Sequence, residues 1–258
     1  MRPQPLSMFE STLPADAADL MRVSAFRRYL ENAAPDTVSA GLSTRLSSLN
    51  PSLLHDLRRF ERGDPLDGRM EVLEVMAAAV RHGRRLRLHL QHDARVLPLT
   101  VFPREGQVHS PLPVAQLLEL RLVDLRVLHI EPAQLGVASS DDPPPVGEPH
   151  QYTALAPLLW ELALRGSRED LLPEIAGVAA YRVAPGADLT GLSLSGTLAA
   201  AVARLQRETT NLADIAGWPG FDRSRAMRML NGLYLQAALM ISRSHPAATN
   251  DGWTASRL

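Results

Sequence analysis

The hydrophobic period of this chain changes from that of a helix to that of a strand at a single residue, Gly83. The stretch from about Arg69 to His82 repeats its apolar residues at helical intervals, and glycine is the residue that most often ends a helix. Directly afterwards, apolar and polar residues alternate, as in a strand with one buried face. Leu86, Leu88 and Leu90 fall on one face, and Arg85, Arg87 and His89 fall on the other. The sequence therefore predicts an α+β fold.

The next part of the chain predicts a short antiparallel meander. The elements expected are strands at 96–102, 107–109 and 125–130 and a helix at 114–122. Pro98 predicts an edge position or a bulge in its strand, because proline cannot donate to a sheet ladder. Together with the helix before Gly83, these elements predict a small α+β domain over residues 63–138.

Residues 1–62 are predicted to form a helical N-terminal segment. Apolar residues recur at helical spacing between Leu13 and Leu30, and Asn50-Pro51 is typical of the start of another helix. Helices with such stripes must bury them against something. The sequence leaves two alternatives for the surface that buries these stripes. The helices pack onto the leucine face of the strand after Gly83, or they mediate self-association or docking of a partner.

A proline-rich stretch divides the chain. Residues 139–149 contain three consecutive prolines, which can neither continue a helix nor lie inside a sheet, and they are flanked by Ser and Asp. This composition predicts a semi-rigid linker between two folded parts.

The second half, residues 150–246, is predicted to be mainly helical. The elements expected are helices at 152–165, 169–175, 197–208 and 212–217, a helix that begins after Asp222, and strands at 178–183 and 240–243. Three helices followed by a strand is the outline of a winged helix. Residues 247–258 are expected to form a flexible tail.

Composition excludes several classes of site and predicts a location. The chain has no cysteine, so it has no disulfide, thiolate nucleophile, iron–sulfur cluster or cysteine-type zinc site. No apolar run near residue 1 could serve as the core of a signal peptide, and the longest uncharged stretch, 229–242, is shorter than the ~20 residues that span a bilayer. We expect a cytoplasmic protein with no membrane insertion.

Motifs for catalysis and cofactor binding are incomplete. Five histidines (His82, His89, His92, His109 and His129) lie in the small α+β region, but no HExxH or comparable spacing accompanies them. Arg81 and Arg85 match an RxxxR pattern that binds a cyclic dinucleotide in PilZ-type domains, but the second element of that site is missing. Ser195 lies in a glycine- and serine-rich stretch without nucleophile-elbow spacing, and we predict that it caps the next helix. The sequence thus predicts no catalytic residue, no cofactor and no metal.

Three arginines are the candidate contact residues. Arg223, Arg225 and Arg228 are predicted to lie on the exposed side of the third helix of the winged-helix outline, where they would contact DNA or a protein partner. All 27 basic residues of the chain are arginine, but the net charge is −1. This balance gives no general attraction to nucleic acid, so the prediction favours a protein partner over DNA.

Several apolar stretches resemble bacterial proteins that carry a PATAN-type domain followed by a degenerate winged helix. They are Val72-Leu-Glu-Val-Met, Arg81-His-Gly-Arg-Arg-Leu-Arg-Leu, Val101-Phe-Pro-Arg-Glu-Gly-Gln-Val-His, Leu192-Ser-Leu-Ser, Asp214-Ile-Ala and Arg225-Ala-Met-Arg-Met-Leu-Asn-Gly-Leu-Tyr-Leu-Gln. Residues 1–62 and Pro98 depart from that family's pattern. The resemblance implies a non-enzymatic signalling or localisation adaptor, linked to motility or polar organisation. Its partner would be another protein or a second copy of the chain. The alternative is a winged-helix transcriptional regulator.

Overall fold

The computed structural model describes residues 20–33, 71–133 and 152–250, and it confirms the α+β class. The described helices are α1 (Val23–Ala33), α2 (Val72–His82), α3 (Val114–Glu119), α4 (Leu155–Arg165), α5 (Gly196–Leu205), α6 (Leu212–Ala216) and α7 (Arg223–Leu235). The described strands are β1 (Leu86–His92), β2 (Arg95–Phe102), β3 (Gln107–His109), β4 (Arg126–Pro132), β5 (Tyr152–Ala154), β6 (Ala180–Val183) and β7 (Leu239–Ser242). A 3₁₀ turn at Leu122–Asp124 replaces the end of the helix predicted over 114–122.

The change of period at Gly83 corresponds to the end of α2 and the start of β1. Gly83 has φ +57°, in the left-handed region, and its N–H donates to the carbonyls of Ala79 and Val80. The predicted C-cap is therefore confirmed, because glycine adopts this conformation without a Cβ penalty. Leu86, Leu88 and Leu90 are buried in the main core, as the alternation predicts.

The first sheet is antiparallel with strand order β4-β1-β2-β3-β5. Pro98 pairs with His89 of β1, whereas β3 pairs only with Thr100–Phe102 of β2. Pro98 therefore has a strand on one side only, and the N–H that it lacks is not needed by β3. A register shift lies between His89 and Leu90 in the pairing of β1 with β4.

The segment that follows the predicted linker completes this sheet. A helix was expected over 152–165, but Tyr152–Ala154 is the strand β5, which pairs with β3, and the helix α4 starts at Leu155. The Leu155 N–H donates to the Gly106 carbonyl at 2.8 Å. The residues before and after the linker share one hydrophobic core. The linker itself, residues 139–149, lies outside the described residues.

A buried arginine, Arg168, joins the two halves of the chain. Its guanidinium donates to the carboxylates of Glu71 and Glu74 at the start of α2 and to the carbonyls of Asp170 and Leu171. These backbone acceptors lie within residues 169–175, where a helix was predicted. That prediction is wrong: the segment is irregular and turns only over 173–175. Side chains satisfy its backbone groups, so it needs no helical hydrogen bonds to be buried.

The last part of the chain contains the three helices and the strand that were predicted. β7 follows α5, α6 and α7 and pairs with β6 in a two-stranded antiparallel sheet. Asp222 caps α7 by accepting a hydrogen bond from the Arg225 N–H at 2.7 Å. Ser195 is the N-cap residue of α5, as predicted, with extended backbone, but its side chain makes no capping hydrogen bond. The winged-helix arrangement remains a prediction.

The N-terminal helix α1 lies on the face of the first sheet opposite the leucines. Its Phe26 packs against His89, with ring centroids 4.6 Å apart. The predicted helix at Asn50-Pro51 lies outside the described residues, and so does the tail beyond residue 250. None of the helices in the described ranges has the length and apolar character needed to span a bilayer.

Candidate interaction surfaces

The third helix of the winged-helix outline, α7, is buried along most of its length. Eight of its residues are buried: Ala226, Met227, Met229, Leu230, Asn231, Gly232, Leu233 and Leu235. Gly232 lies so close to α4 that a Cβ there would be 2.7 Å from the Trp160 ring. Asn231 is fully buried, and its side chain bonds both the Leu172 N–H and the Asp170 carbonyl. Only the first turn of α7 is open to solvent.

The three candidate arginines have three different environments. Arg223 is exposed at the start of α7. Arg225 is also exposed, but its guanidinium donates to the Gly220 carbonyl at 2.6 Å and lies 5.0 Å from the centre of the Phe221 ring. Arg228 points back to the end of α4, where it donates to the carbonyls of Leu164 at 3.2 Å and Gly166 at 2.8 Å. Arg228 therefore stabilises a helix terminus and does not share a surface with the other two.

Two aromatic residues that sequence reasoning missed lie beneath exposed arginines. Trp218 and Phe221 lie in the turn before α7, with rings in an edge arrangement 6.4 Å apart; Trp218 is 7% exposed and Phe221 is half-buried. The exposed Arg204 of α5 stacks on Trp218, with its guanidinium carbon 4.6 Å from the ring centre. We call the group of Arg204, Trp218, Phe221, Arg223 and Arg225 the α6–α7 corner. The signal in the sequence was the pair of aromatics in Gly217-Trp-Pro-Gly-Phe221, directly before the arginines of α7.

Acidic groups offset the arginines of this corner. Glu208 forms an ion pair with Arg204, and Asp222 caps α7 within the same turn. Asp214 accepts hydrogen bonds from Thr210 and Asn211 at the start of α6. Binding to a long phosphate backbone requires a continuous positive surface. The corner instead presents individual guanidinium groups with acidic groups beside them.

The histidines do not form a metal site within the described residues. His89 and His129 are cross-strand partners with ring centroids 5.8 Å apart, but His109 is on β3 and contacts Tyr152 instead. No group of three or more His, Asp or Glu side chains in the described ranges could hold a metal ion. Burial, together with the charges of His129 and Arg87, lowers the pKa of His89 to about 3.

The two arginines of the RxxxR pattern are engaged in separate ion pairs. Arg81 pairs with Glu174, and Arg85 pairs with Glu105 in the turn between β2 and β3. The Arg85 guanidinium lowers the pKa of Glu105 by hydrogen bonding to its charged form. The side chains are thus directed to different parts of the protein rather than to one nucleotide.

Comparison of the chain with protein-family models, with curated proteins and with solved structures finds no match. The geometry of the described residues is therefore the basis for any functional assignment.

Proposed function

We propose that this chain is a non-enzymatic signalling or regulatory adaptor of the bacterial cytoplasm that acts by binding another protein. The observation that carries the proposal is the burial of α7 beyond its first turn. It is combined with three exposed arginines near that turn, two of which stack on a buried and a half-buried aromatic ring.

The burial of α7 argues against the DNA-binding alternative. A recognition helix reads DNA by lying in the major groove, which is about 12 Å wide and must accommodate the helix over several residues. In α7 the exposed residues are confined to the first turn, and the residues beyond it pack against α4, α6 and the segment after Gly166. Arg228, which would face the bases, is already bound to carbonyls. Of the three candidate arginines, only Arg223 and Arg225 are therefore exposed and could contact DNA.

The α6–α7 corner has the composition of a protein-binding surface. Arginine is enriched among the residues that dominate binding energy at protein interfaces, and the three arginines of this corner are exposed. Contacts with Phe221 and Gly220 hold the Arg225 guanidinium in place, so it loses little conformational entropy on binding. The complementary group is a carboxylate on a partner, which a guanidinium binds through two parallel hydrogen bonds. We therefore propose an acidic segment of another protein, or of a second copy of this chain, as the ligand.

The resemblance to PATAN-type proteins supports the same class of function. It extends the proposal to a role in motility or polar organisation, where adaptors position other proteins. The α6–α7 corner would be the part of this chain that such a partner contacts.

A salt titration separates the adaptor from the DNA-binding regulator. Binding of the full chain to mixed-sequence duplex DNA is measured by fluorescence anisotropy between 50 and 200 mM salt. Two phosphate contacts give a log–log slope of about −2, and we expect weak binding with no steeper dependence. A slope steeper than about −5 that the double variant Arg223→Ala, Arg225→Ala abolishes would establish the regulator instead.

Site-specific photo-crosslinking in the host cell tests the protein partner directly. A photoreactive residue replaces Arg223, and the matched control replaces Arg27, an exposed arginine of α1. We expect a discrete adduct from position 223 that Arg225→Ala weakens at least about tenfold, because a charged hydrogen bond at an interface contributes ~1.5–3 kcal/mol. An adduct with the same chain would identify a homodimer. If both positions give the same diffuse adducts, the corner is not the binding surface.

A further inference from the structure

The body of α1 is attached to the sheet through one aromatic ring. Phe26 is 2% exposed, whereas Tyr29, one turn later on the same side, is 46% exposed. Val23 and Leu30 are half-buried, and the other side chains of α1 between residues 24 and 32 are exposed. Phe26 is therefore the one fully buried side chain among the described residues of this helix.

The remaining attachment lies at the start of the helix, on the turn between β1 and β2. The Val23 N–H donates to the Ala94 carbonyl at 2.9 Å, and the Val96 N–H donates to the Met21 carbonyl at 2.8 Å. The Arg95 guanidinium donates to the Leu20 carbonyl at 2.6 Å. These bonds fix one end of α1 and leave the rest to depend on Phe26.

The surface beneath Phe26 is a pair of histidines. Its ring centroid is 4.6 Å from that of His89 and 6.4 Å from that of His129. His89 is 4% exposed, and its Nδ1 atom has no hydrogen-bond partner. A buried imidazole in this position is tolerated because it is neutral. A protonated ring would be a charge held between an aromatic ring and a second histidine, with no acceptor for its Nδ1–H.

Among the described residues that face His89, no unpaired carboxylate is placed to stabilise a protonated ring. On β1 the neighbour on the same face is Arg87, and on β4 the neighbours are His129 and Glu131. Glu131 is paired with Arg87 at 3.7 Å. The partner of His89 on β2 is Pro98, which has no titratable group, and the charged residue one turn before Phe26, directly before α1, is Arg22.

We propose that Phe26, His89 and His129 form an acid-sensitive latch that releases α1 from the sheet in mildly acidic solution. Protonation of His89 expels Phe26, and the released helix exposes its apolar stripe together with the face of β1 and β2 that it covers. The proposal does not depend on the adaptor function, since it concerns a different face of the molecule.

The direction of the effect follows from the two protonation equilibria. With α1 attached, the pKa of His89 is about 3, mainly because burial disfavours the charged ring. With α1 detached, the ring is solvated and has a pKa of about 6.5. Between these values the detached form binds one more proton, so the attachment is fully stable above about pH 6.5 and weakens as the pH falls. The ratio of detached to attached molecules rises about tenfold per pH unit.

Hydrogen exchange on the full chain measures this ratio. Protection factors, which are normalised to the intrinsic exchange rate at each pH, are compared at pH 7.5, 6 and 5. We expect the protection of α1 amides to fall about fourfold from pH 7.5 to 6 and about eightfold from pH 6 to 5, because the detached ring titrates with a pKa of about 6.5. The amides of α7 serve as the internal reference and stay constant.

Two variants connect the pH dependence to His89. His89→Phe keeps an apolar ring at this position without a titratable group, and it should make α1 protection independent of pH. His92→Gln, on the same strand but away from Phe26, should behave as the wild type. Protection of α1 that does not change with pH in the wild type, or an unchanged pH dependence in His89→Phe, overturns the proposal.

Ring signals of labelled histidine in the wild-type protein give a test that does not depend on a variant. In molecules with α1 attached, His89 should remain neutral at pH 5. A His89 ring that titrates near pH 6.5 while α1 stays protected would contradict the latch.

Discussion

Replacement of Arg168 by alanine tests whether one buried side chain holds the two halves of the protein together. Arg168 lies after α4 and is 8% exposed. It donates to Glu74 at 2.8 Å, to the Leu171 carbonyl at 2.7 Å and to Glu71. Without it, two carboxylates at the start of α2 lose their common cation, and the Leu171 carbonyl loses the guanidinium as its donor.

The expected loss of stability is about 3 kcal/mol. Removal of one partner of a buried ion pair costs ~3–5 kcal/mol, because the remaining charge is left without compensation. The side chains of Glu71 and Glu74 are 27% and 17% exposed, so water compensates part of that loss. We therefore expect the lower end of the range. If the free energy of unfolding decreases by ~3 kcal/mol per M of urea, this loss lowers the urea concentration at the unfolding midpoint by about 1 M.

Arg165→Ala is the matched control. Arg165 lies three residues earlier and pairs with Glu161 at 3.3 Å, but its side chain is 46% exposed, so its removal should cost less than ~0.5 kcal/mol. Both variants are measured by urea denaturation followed by circular dichroism. If Arg168→Ala loses less than ~1 kcal/mol, or no more than Arg165→Ala, the halves are held together by their apolar contacts and not by this arginine.

Two further variants test the packing of α7. Gly232→Ala gains ~1 kcal/mol of helix propensity but places a methyl group 2.7 Å from the buried ring of Trp160. Overpacking costs ~1–3 kcal/mol, so we expect a net loss of up to ~2 kcal/mol and a changed near-ultraviolet tryptophan spectrum; a stabilised variant would show that the contact between α4 and α7 tolerates a methyl group. Asn231→Ala leaves the buried Leu172 N–H without its acceptor and removes one of the two donors to the Asp170 carbonyl, so it should cost ~1–3 kcal/mol in thermal unfolding; a loss below ~0.5 kcal/mol would mean that water replaces the amide.

Local features of the sequence determined the element types and several of their ends. Gly83 ends α2 and Asp222 caps α7 because a cap depends on the backbone and side chains of one turn. The alternation after Gly83 identified β1 and the buried leucines, because the period of a strand is a property of consecutive residues. The helix predicted over 169–175 failed, since its apolar pattern did not reveal that Arg168 and Asn231 satisfy the backbone there.

Contacts between distant residues decided what the candidate sites are. Arg228 was predicted to face a partner by helical spacing, but the end of α4, more than 60 positions earlier, supplies its acceptors. His89 was one of several histidines in the sequence, and it became buried beside His129 through the register of β1 and β4 and the packing of Phe26. Tyr152–Ala154 was assigned to a helix, and the edge of β3 made it a strand. Periodicity records which side of an element is apolar. The neighbour that covers that side is set by packing between segments far apart in the chain, and only the tertiary structure contains it.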